Sequence, residues 1–281
     1  MYKPKILITG INGLLGPYLK KAASKYGQVA GLSRSSKEYP CDLKNKIEVQ
    51  SVIRDFRPDI VLHAAAITDV DECEKNPDEA ELVNHEATRT LSELLLPDTY
   101  MVFFSTIAVY PNLAGPHAEG TENPVNAYGR TKLSAEKVVL KRKKSLILRT
   151  TLIGKSLISS RISLSDFIIN NLKDKKPITL FSDVLFSPLH TSTLSELTMQ
   201  AIGKGLSGVY NASTIDGVSK SEFGYMVAKK FGLDTDKIIV NSSKNMLDRA
   251  PRSLDSRLDP SLLEDKLSRK MPLVLDEINK L

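Results

Sequence analysis

Short apolar runs alternate with segments of helical period along the first half of the chain. Lys5–Thr9 is a run of strand formers ending in glycines, and the stretch that follows to about Lys25 is amphipathic. Residues 28–32 read as a second strand, 47–55 as a helix, and 60–65 as a buried strand. Residues 79–96 read as a helix, 101–105 as a strand, 127–140 as a helix and 146–149 as a strand. The strand runs are continuously apolar rather than alternating, as strands covered on both faces are. Strict alternation of strand and helix predicts parallel strands with crossover helices, an α/β doubly wound sheet of the Rossmann type.

After about residue 155 the pattern loosens. Residues 165–172, 193–202 and 220–231 have helical period, 209–212 form a short strand, and a last helix lies near 260–266. No composition break marks a linker. The expectation is a dinucleotide-type domain over 1–155 that carries the catalytic residues. A smaller C-terminal α/β lobe over 156–281 interleaves with it and does not fold independently.

Composition changes this picture little. The 281 residues are 41% hydrophobic and 26% charged, ordinary for a globular protein with a continuous core. No stretch approaches the roughly 18 apolar residues of a membrane span, and the N-terminus turns glycine-rich too soon for a signal peptide. A cytoplasmic protein with no membrane partner is expected. Cys41 and Cys73 share no metal or redox spacing and read as reduced thiols, so no metal is expected. The net charge is +6, and its one dense cluster is Lys137, Lys141, Arg142, Lys143 and Lys144 at a helix end. Cations there complement the helix dipole, so a nucleic-acid partner is not expected. A mildly basic surface steers anionic small molecules instead.

Directly after the first strand stands Gly10-Ile11-Asn12-Gly13-Leu14-Leu15-Gly16, a G-x-x-G-x-x-G loop opening a helix. Such glycines let the backbone turn tightly and approach a pyrophosphate at a helix N-terminus, where free N–H groups and the dipole favour anions. The end of the second strand discriminates between cofactors. An acid there binds a ribose 2′-hydroxyl, whereas an arginine accommodates a 2′-phosphate. This chain has Ser33-Arg34-Ser35-Ser36 and no acid before Glu38, which favours NADP(H). Asp42-Leu43 follows, at a position suited to an adenine contact or to a surface turn. His63-Ala64-Ala65-Ala66 closes the next apolar run, and the small alanines let a cofactor lie against the backbone. His63 reads as a packed strand residue rather than a catalyst.

The candidate chemistry is Tyr128-Gly129-Arg130-Thr131-Lys132, a Tyr-x-x-x-Lys that puts both side chains on one helix face. An ammonium near a phenol stabilises the phenolate and lowers its pKa, and such a tyrosine exchanges a proton with a carbonyl or alcohol. Alone, the pair is common on helix surfaces. Thr106, at the end of a strand, adds a hydroxyl able to bind the same substrate oxygen.

Taken together, the glycine triad, Ala64-Ala65-Ala66-Ile67-Thr68-Asp69-Val70-Asp71, Ser105-Thr106, Asn126–Lys132 and Leu148-Arg149-Thr150 resemble the extended short-chain dehydrogenase/reductases. Within them the chain is most similar to the dTDP-4-dehydrorhamnose reductase family. Fainter similarity in Gly208–Ser213, Ser221-Glu222-Phe223 and Ser256-Arg257-Leu258-Asp259 extends it over almost the whole chain. The resemblance implies reduction of the keto group of a nucleotide-linked 4-keto-6-deoxysugar by NADPH. It implies that Tyr128 donates the proton, Lys132 holds the nicotinamide ribose and depresses the tyrosine pKa, and Thr106 orients the carbonyl. Thr68 and Val70 would lie between cofactor and sugar, Asn84 in the proton network, and a homodimer is implied. Three departures fall on the expected sugar side. Ile107-Ala108 replace Asp-Tyr, Leu152 replaces a tryptophan, and Phe186–His190 lacks a glycine. A sugar dehydratase needs an acid–base pair beside the threonine, which Ile107 and Ala108 cannot supply. Two alternatives stay open: a nucleotide-sugar epimerase with bound NAD, and a non-catalytic NADP-binding regulatory subunit.

Overall fold

The computed structural model describes residues 2–158, 162–246 and 249–281. The chain begins with β1 (Lys5–Thr9), α1 (Gly16–Ala23), β2 (Gln28–Ser33), β3 (Tyr39–Pro40), α2 (Lys46–Phe56) and β4 (Ile60–His63). Then follow α3 (Val70–Lys75), α4 (Pro77–Glu81), α5 (Ala87–Leu94), β5 (Tyr100–Thr106), α6 (Ala127–Val139), β6 (Ser145–Thr150) and β7 (Leu152–Ile153). The rest comprises α7 (Leu164–Lys173), β8 (Ile178–Phe181), β9 (Leu185–Phe186), β10 (Leu189–His190), α8 (Thr191–Gly203), β11 (Gly208–Asn211) and β12 (Val218–Ser219). It closes with α9 (Lys220–Phe231), β13 (Ile238–Asn241), β14 (Asp255–Ser256), α10 (Ser261–Leu267) and α11 (Val274–Ile278).

Seven strands form one parallel sheet in the order β11-β6-β5-β4-β1-β2-β3, the doubly wound architecture expected. Because β1 leads outward to β2 and then back across to β4, the strand order reverses between β1 and β4. That crevice is where such sheets bind ligands. Alternate residues of each strand enter two cores. Ile6 and Ile8 pack with Leu19, Leu194 and Leu263 on one face, while Leu7 packs with Val49, Leu91 and Val139 on the other. The chain does not leave this sheet for good at residue 155: α8 packs on α1 and β11 forms an edge strand. Between these excursions a third core gathers Ile168, Ile178, Phe186, Phe223 and Val227 around the β8–β13 pair and the three-stranded sheet β12-β9-β14.

The helix expected over 79–96 is broken by a π turn at Leu82–Glu86, which carries Asn84 inward, and it stops at Leu94. The strand expected over 60–65 ends at His63. Residues 64–66 run on as irregular backbone into the cleft. Arg142, from the basic cluster, donates to the carbonyls of Ser92, Leu96 and Thr99, so it terminates the neighbouring helix rather than facing a polyanion. No helix among the described residues is long and apolar enough to cross a membrane.

Candidate active site

A cleft of about 2050 Å³ runs over the carboxyl ends of the central strands and against the second lobe. At one end the loop after β1 folds back on itself: Gly10 N donates to Leu32 O at 2.9 Å, and Gly13 N to Gly10 O at 2.8 Å. Leu15, at the N-cap of α1, offers no capping side chain, and the N–H groups of Leu14 and Leu15 have no acceptor among the described residues. An uncapped helix N-terminus facing a cleft suits a pyrophosphate. Asn12 Nδ2 donates to Ser33 Oγ (3.2 Å), Ser35 O (3.0 Å) and Ser35 Oγ (2.9 Å), tying the loop to the end of β2. Gly10, Asn12, Gly13, Leu14 and Leu15 line the cleft, but Gly16 does not. A Cβ on Gly16 would lie 2.3 Å from the Ile11 carbonyl oxygen, so this third glycine permits close packing beneath the loop.

Ser33, Arg34, Ser35, Asp42 and Leu43 line the adjoining wall. Arg34 is exposed, forms no ion pair among the described residues, and lies near enough to Lys44 for the two cations to repel. Lys44, in the turn before α2, also lines the cleft and pairs with Glu79 at 2.9 Å; it went unread in the sequence because it lies eleven residues beyond the end of β2. Glu38 is turned away: it accepts from Gly31 N at 2.5 Å and pairs with Lys20 at 2.6 Å. Glu38, beyond the end of β2, is thus engaged within the protein, and the exposed Arg34 beside it fits a 2′-phosphate. Asp42 accepts from Lys44 N at 3.0 Å, forming a turn at the rim.

Ala64, Ala65 and Ala66 line the floor beside the glycine loop. His63 is buried behind them between Thr9 Oγ1 (2.6 Å) and Thr88 Oγ1 (2.9 Å), and burial pushes its pKa down to about 3. It is a neutral packing residue. Asn84 accepts from Ile67 N at 2.8 Å and donates to Ile67 O at 3.0 Å and Thr131 Oγ1 at 3.3 Å. The asparagine thus clamps the backbone that presents Thr68 and Val70 to the cleft, and its polar atoms are spent on that clamp.

The reactive trio is assembled by a close approach. Asn126 Oδ1 caps α6 by accepting from Gly129 N at 2.8 Å. A Cβ on Gly129 would stand 2.1 Å from Ala108 O, so only glycine lets α6 abut the turn after β5. That contact sets Thr106 and Tyr128 together on the cleft wall, with Thr106 Oγ1 accepting from Ala108 N at 3.1 Å. Burial pushes the phenol pKa up to about 12, and the Thr106 hydroxyl opposes the rise. Lys132 does not depress it, contrary to expectation. Its Nζ donates to Phe104 O at 2.8 Å and lies 3.9 Å from the centre of the Phe103 ring. Burial pushes this lysine down to about 7, with Glu136 acting the other way. A buried ammonium takes the nearest acceptor, here the strand carbonyl.

Sequence reasoning missed what supports the trio. Glu136, one turn beyond Lys132, receives Arg149 Nε at 3.0 Å and Nη2 at 2.5 Å, and Ser105 Oγ donates to it. Arg149 also pairs with Glu122 and donates to Tyr110 OH at 2.9 Å. Both Glu136 and Arg149 are buried. The signal was a single arginine in an otherwise apolar strand. On the sugar side Ile107 and Leu152 line the cleft as aliphatic surface, each also packed against core residues.

Residues 4–278 match the family model described as RmlD substrate binding domain. The chain belongs to this family. It is 28% identical to a probable low-salt glycan biosynthesis reductase, Agl14, of Haloferax volcanii, over 96% of this chain and 95% of that protein. It is 26% identical to a dTDP-4-dehydrorhamnose reductase of Salmonella typhimurium, over 97% and 93%. The crystal structure of a dTDP-4-dehydrorhamnose reductase from Bacillus anthracis in complex with NADP shares the fold, with a TM-score of 0.92 at 24% identity, covering 99% of this chain and 98% of that one.

Proposed function

We propose that this protein reduces the keto group of a nucleotide-linked 4-keto-6-deoxysugar with NADPH. The observation that carries the reading is Tyr128 beside Thr106 in the lining of a cleft that also contains an uncapped helix N-terminus and an unpaired arginine. NADPH, when bound, supplies the hydride. The chain's own residues do the rest. The Gly10–Leu15 loop and Arg34 hold the phosphates. Thr106 and Tyr128 hold the keto oxygen from two sides, and the phenol gives that oxygen its proton. The raised phenol pKa suits a donor, since the group stays protonated at neutral pH. Thr68, Val70, Ile107 and Leu152 flank the sugar. Two buried free thiols support a cytoplasmic setting. The end of β2 disfavours the NAD-holding epimerase. The regulatory-subunit reading has no use for a buried tyrosine–threonine pair.

An aliphatic pocket discriminates weakly, whereas one built to bind a hydroxyl rejects analogues strongly. Ile107 and Leu152 thus favour a less hydroxylated sugar, or several sugars. The test is NADPH oxidation against dTDP-, GDP-, UDP- and CDP-linked 4-keto-sugars made in place by their dehydratases. Oxidation with one nucleotide class is expected, and Tyr128→Phe should lower it by about 10²–10⁴-fold while NADPH still binds. No oxidation with any of them, by protein that binds NADPH, would sink the reductase and promote the regulatory subunit.

A further inference from the structure

A segment of the second lobe, residues 249–254, roofs the end of the cleft nearest Tyr128, and the first lobe grips it at three points. At the first, Arg252 Nη1 and Nη2 donate to the two oxygens of Asp71 at 2.9 and 2.8 Å, and Ala250 N donates to the same carboxylate at 2.8 Å. At the second, Asn126 Nδ2 donates to Pro251 O at 2.8 Å. At the third, Leu254 N donates to Asn112 Oδ1 at 2.9 Å. The far end of the segment is built into the second lobe. Leu185 N donates to Leu254 O at 2.7 Å, and β14 pairs with β9 directly after it. No hydrogen bond or ion pair joins this roof to the glycine loop or to Ser33–Ser35 among the described residues.

The grips fall on the two elements that carry the reactive end. Asp71 follows Val70 at the start of α3, and the same short helix buries Cys73 against Tyr128 and supplies Glu74, whose Oε2 accepts from Ala127 N at 2.7 Å. Asn126 spends its Oδ1 on the cap of α6 and its Nδ2 on Pro251, so one buried amide ties the start of the Tyr128 helix to the roof. A bidentate guanidinium–carboxylate contact with an added backbone donor is a strong one, and Asp71 and Arg252 are each only about a third exposed. The Arg252 fork holds the Asp71 carboxyl down at about 2, so the grip persists at every working pH. We propose that Asp71 and Asn126 are positioning residues, which hold the 249–254 roof against α3 and α6 and so keep the sugar pocket beside Tyr128 in its binding shape. This rests on the proposed function for the ligand's class and adds which residues keep its pocket assembled. A ligand that needs the roof in place binds with an apparent affinity reduced by the fraction of molecules in which the roof is open. Once bound, the ligand itself holds the roof. Loosening the grip therefore raises KM and leaves kcat nearly unchanged, while a cofactor seated at the glycine loop is unaffected.

The experiment compares the full chain with its Asp71→Asn, Arg252→Gln and Asn126→Asp variants. Each is assayed by steady-state kinetics with the 4-keto-sugar nucleotide that the parent reduces, by NADPH titration, and by hydrogen exchange of the amides in 249–254. Asn126→Asp keeps the oxygen that caps α6 and removes the donor to Pro251. Every variant should exchange faster in 249–254, raise KM by about fivefold or more with kcat within about twofold of the parent, and bind NADPH as the parent does. Reversing the pair, Asp71→Arg with Arg252→Asp, should recover part of the lost KM, because charge complementarity returns while the Ala250 grip does not. If Asp71→Asn fails to fold, Arg252→Gln and Asn126→Asp carry the test. A merely structural loss would lower kcat through the fraction of folded enzyme and leave KM where it was, and that outcome overturns the proposal. Unchanged exchange in 249–254, or an unchanged KM, also overturns it, with the reductase reading left standing. A parent that holds NADPH and reduces none of the 4-keto-sugars overturns both.

Discussion

Lys132 Nζ donates to the carbonyl oxygen of Phe104 at 2.8 Å, so this lysine is anchored to the strand that ends in Thr106. The anchor has a consequence for stability. Burial holds Lys132 at about 7, against about 10.4 for a lysine in an unfolded chain. Between those two values the unfolded chain binds a proton that the folded chain lacks. Folding stability of the ligand-free protein therefore rises with pH from about 7 to about 10 through this residue, and below about 7 its contribution levels off because both states are protonated. Lys132→Met should remove that share of the slope. Urea unfolding of parent and variant at pH 7 and pH 9 checks it, and an identical pH increment in both would contradict the burial argument. Lys220 contributes a slope of the same sign, so the variant should flatten only in part.

Cofactor preference follows from the end of β2. With Glu38 engaged by Gly31 and Lys20, Lys44 paired with Glu79 at 2.9 Å, and Arg34 lining the cleft without an ion-pair partner among the described residues, NADPH should bind at least tenfold more tightly than NADH. That is about 1.4 kcal/mol. Arg34→Asp should shift the preference toward NADH, with Lys44 retaining some attraction for a phosphate. Titrating both nucleotides by fluorescence decides it; equal affinities in the parent would overturn the assignment.

The parts of the site legible in the sequence were those written in local spacing. Gly10, Gly13 and Asn12 fall in one loop, and Tyr128 and Lys132 on one helix face. Each run also sits beside a strand end that apolar continuity marks. What stayed hidden depends on contacts between distant segments. Lys220 becomes a cleft residue only because β12 pairs with β9 and sets it over Phe186. Asn84 turns inward through a π turn that no hydrophobic period announces. The short strands β8 and β13 pair over four residues with half their positions facing out, so neither period nor length separated them from loop. The effect expected of Lys132 on the tyrosine pKa was not legible for a related reason: spacing puts two side chains on one face but does not say which acceptor the ammonium takes.

The buried Glu136–Arg149 pair offers the last prediction. Arg149 reaches Glu136 through both Nε and Nη2, and Glu136 also receives Ser105, the neighbour of Thr106. The pair therefore joins β5, β6 and α6 directly behind the reactive trio. Removing one charge from a buried pair strands the other, which costs about 3–5 kcal/mol, whereas replacing both with apolar groups is often neutral. Glu136→Gln keeps the shape and some hydrogen bonding but leaves Arg149 with Glu122 as its remaining carboxylate. It should lower stability by about 3 kcal/mol. Arg149→Met should cost a similar amount by stranding Glu136. Combined, the two substitutions should cost well below the sum of their separate effects, because neither charge then remains unpaired. Turnover should fall in the single variants more than NADPH affinity does, since the displaced groups stand behind Thr106 and Lys132 rather than behind the glycine loop. A double-mutant cycle by urea unfolding, with NADPH affinity measured alongside, gives both readouts. Strict additivity of the two losses would mean that the pair does not act as a unit.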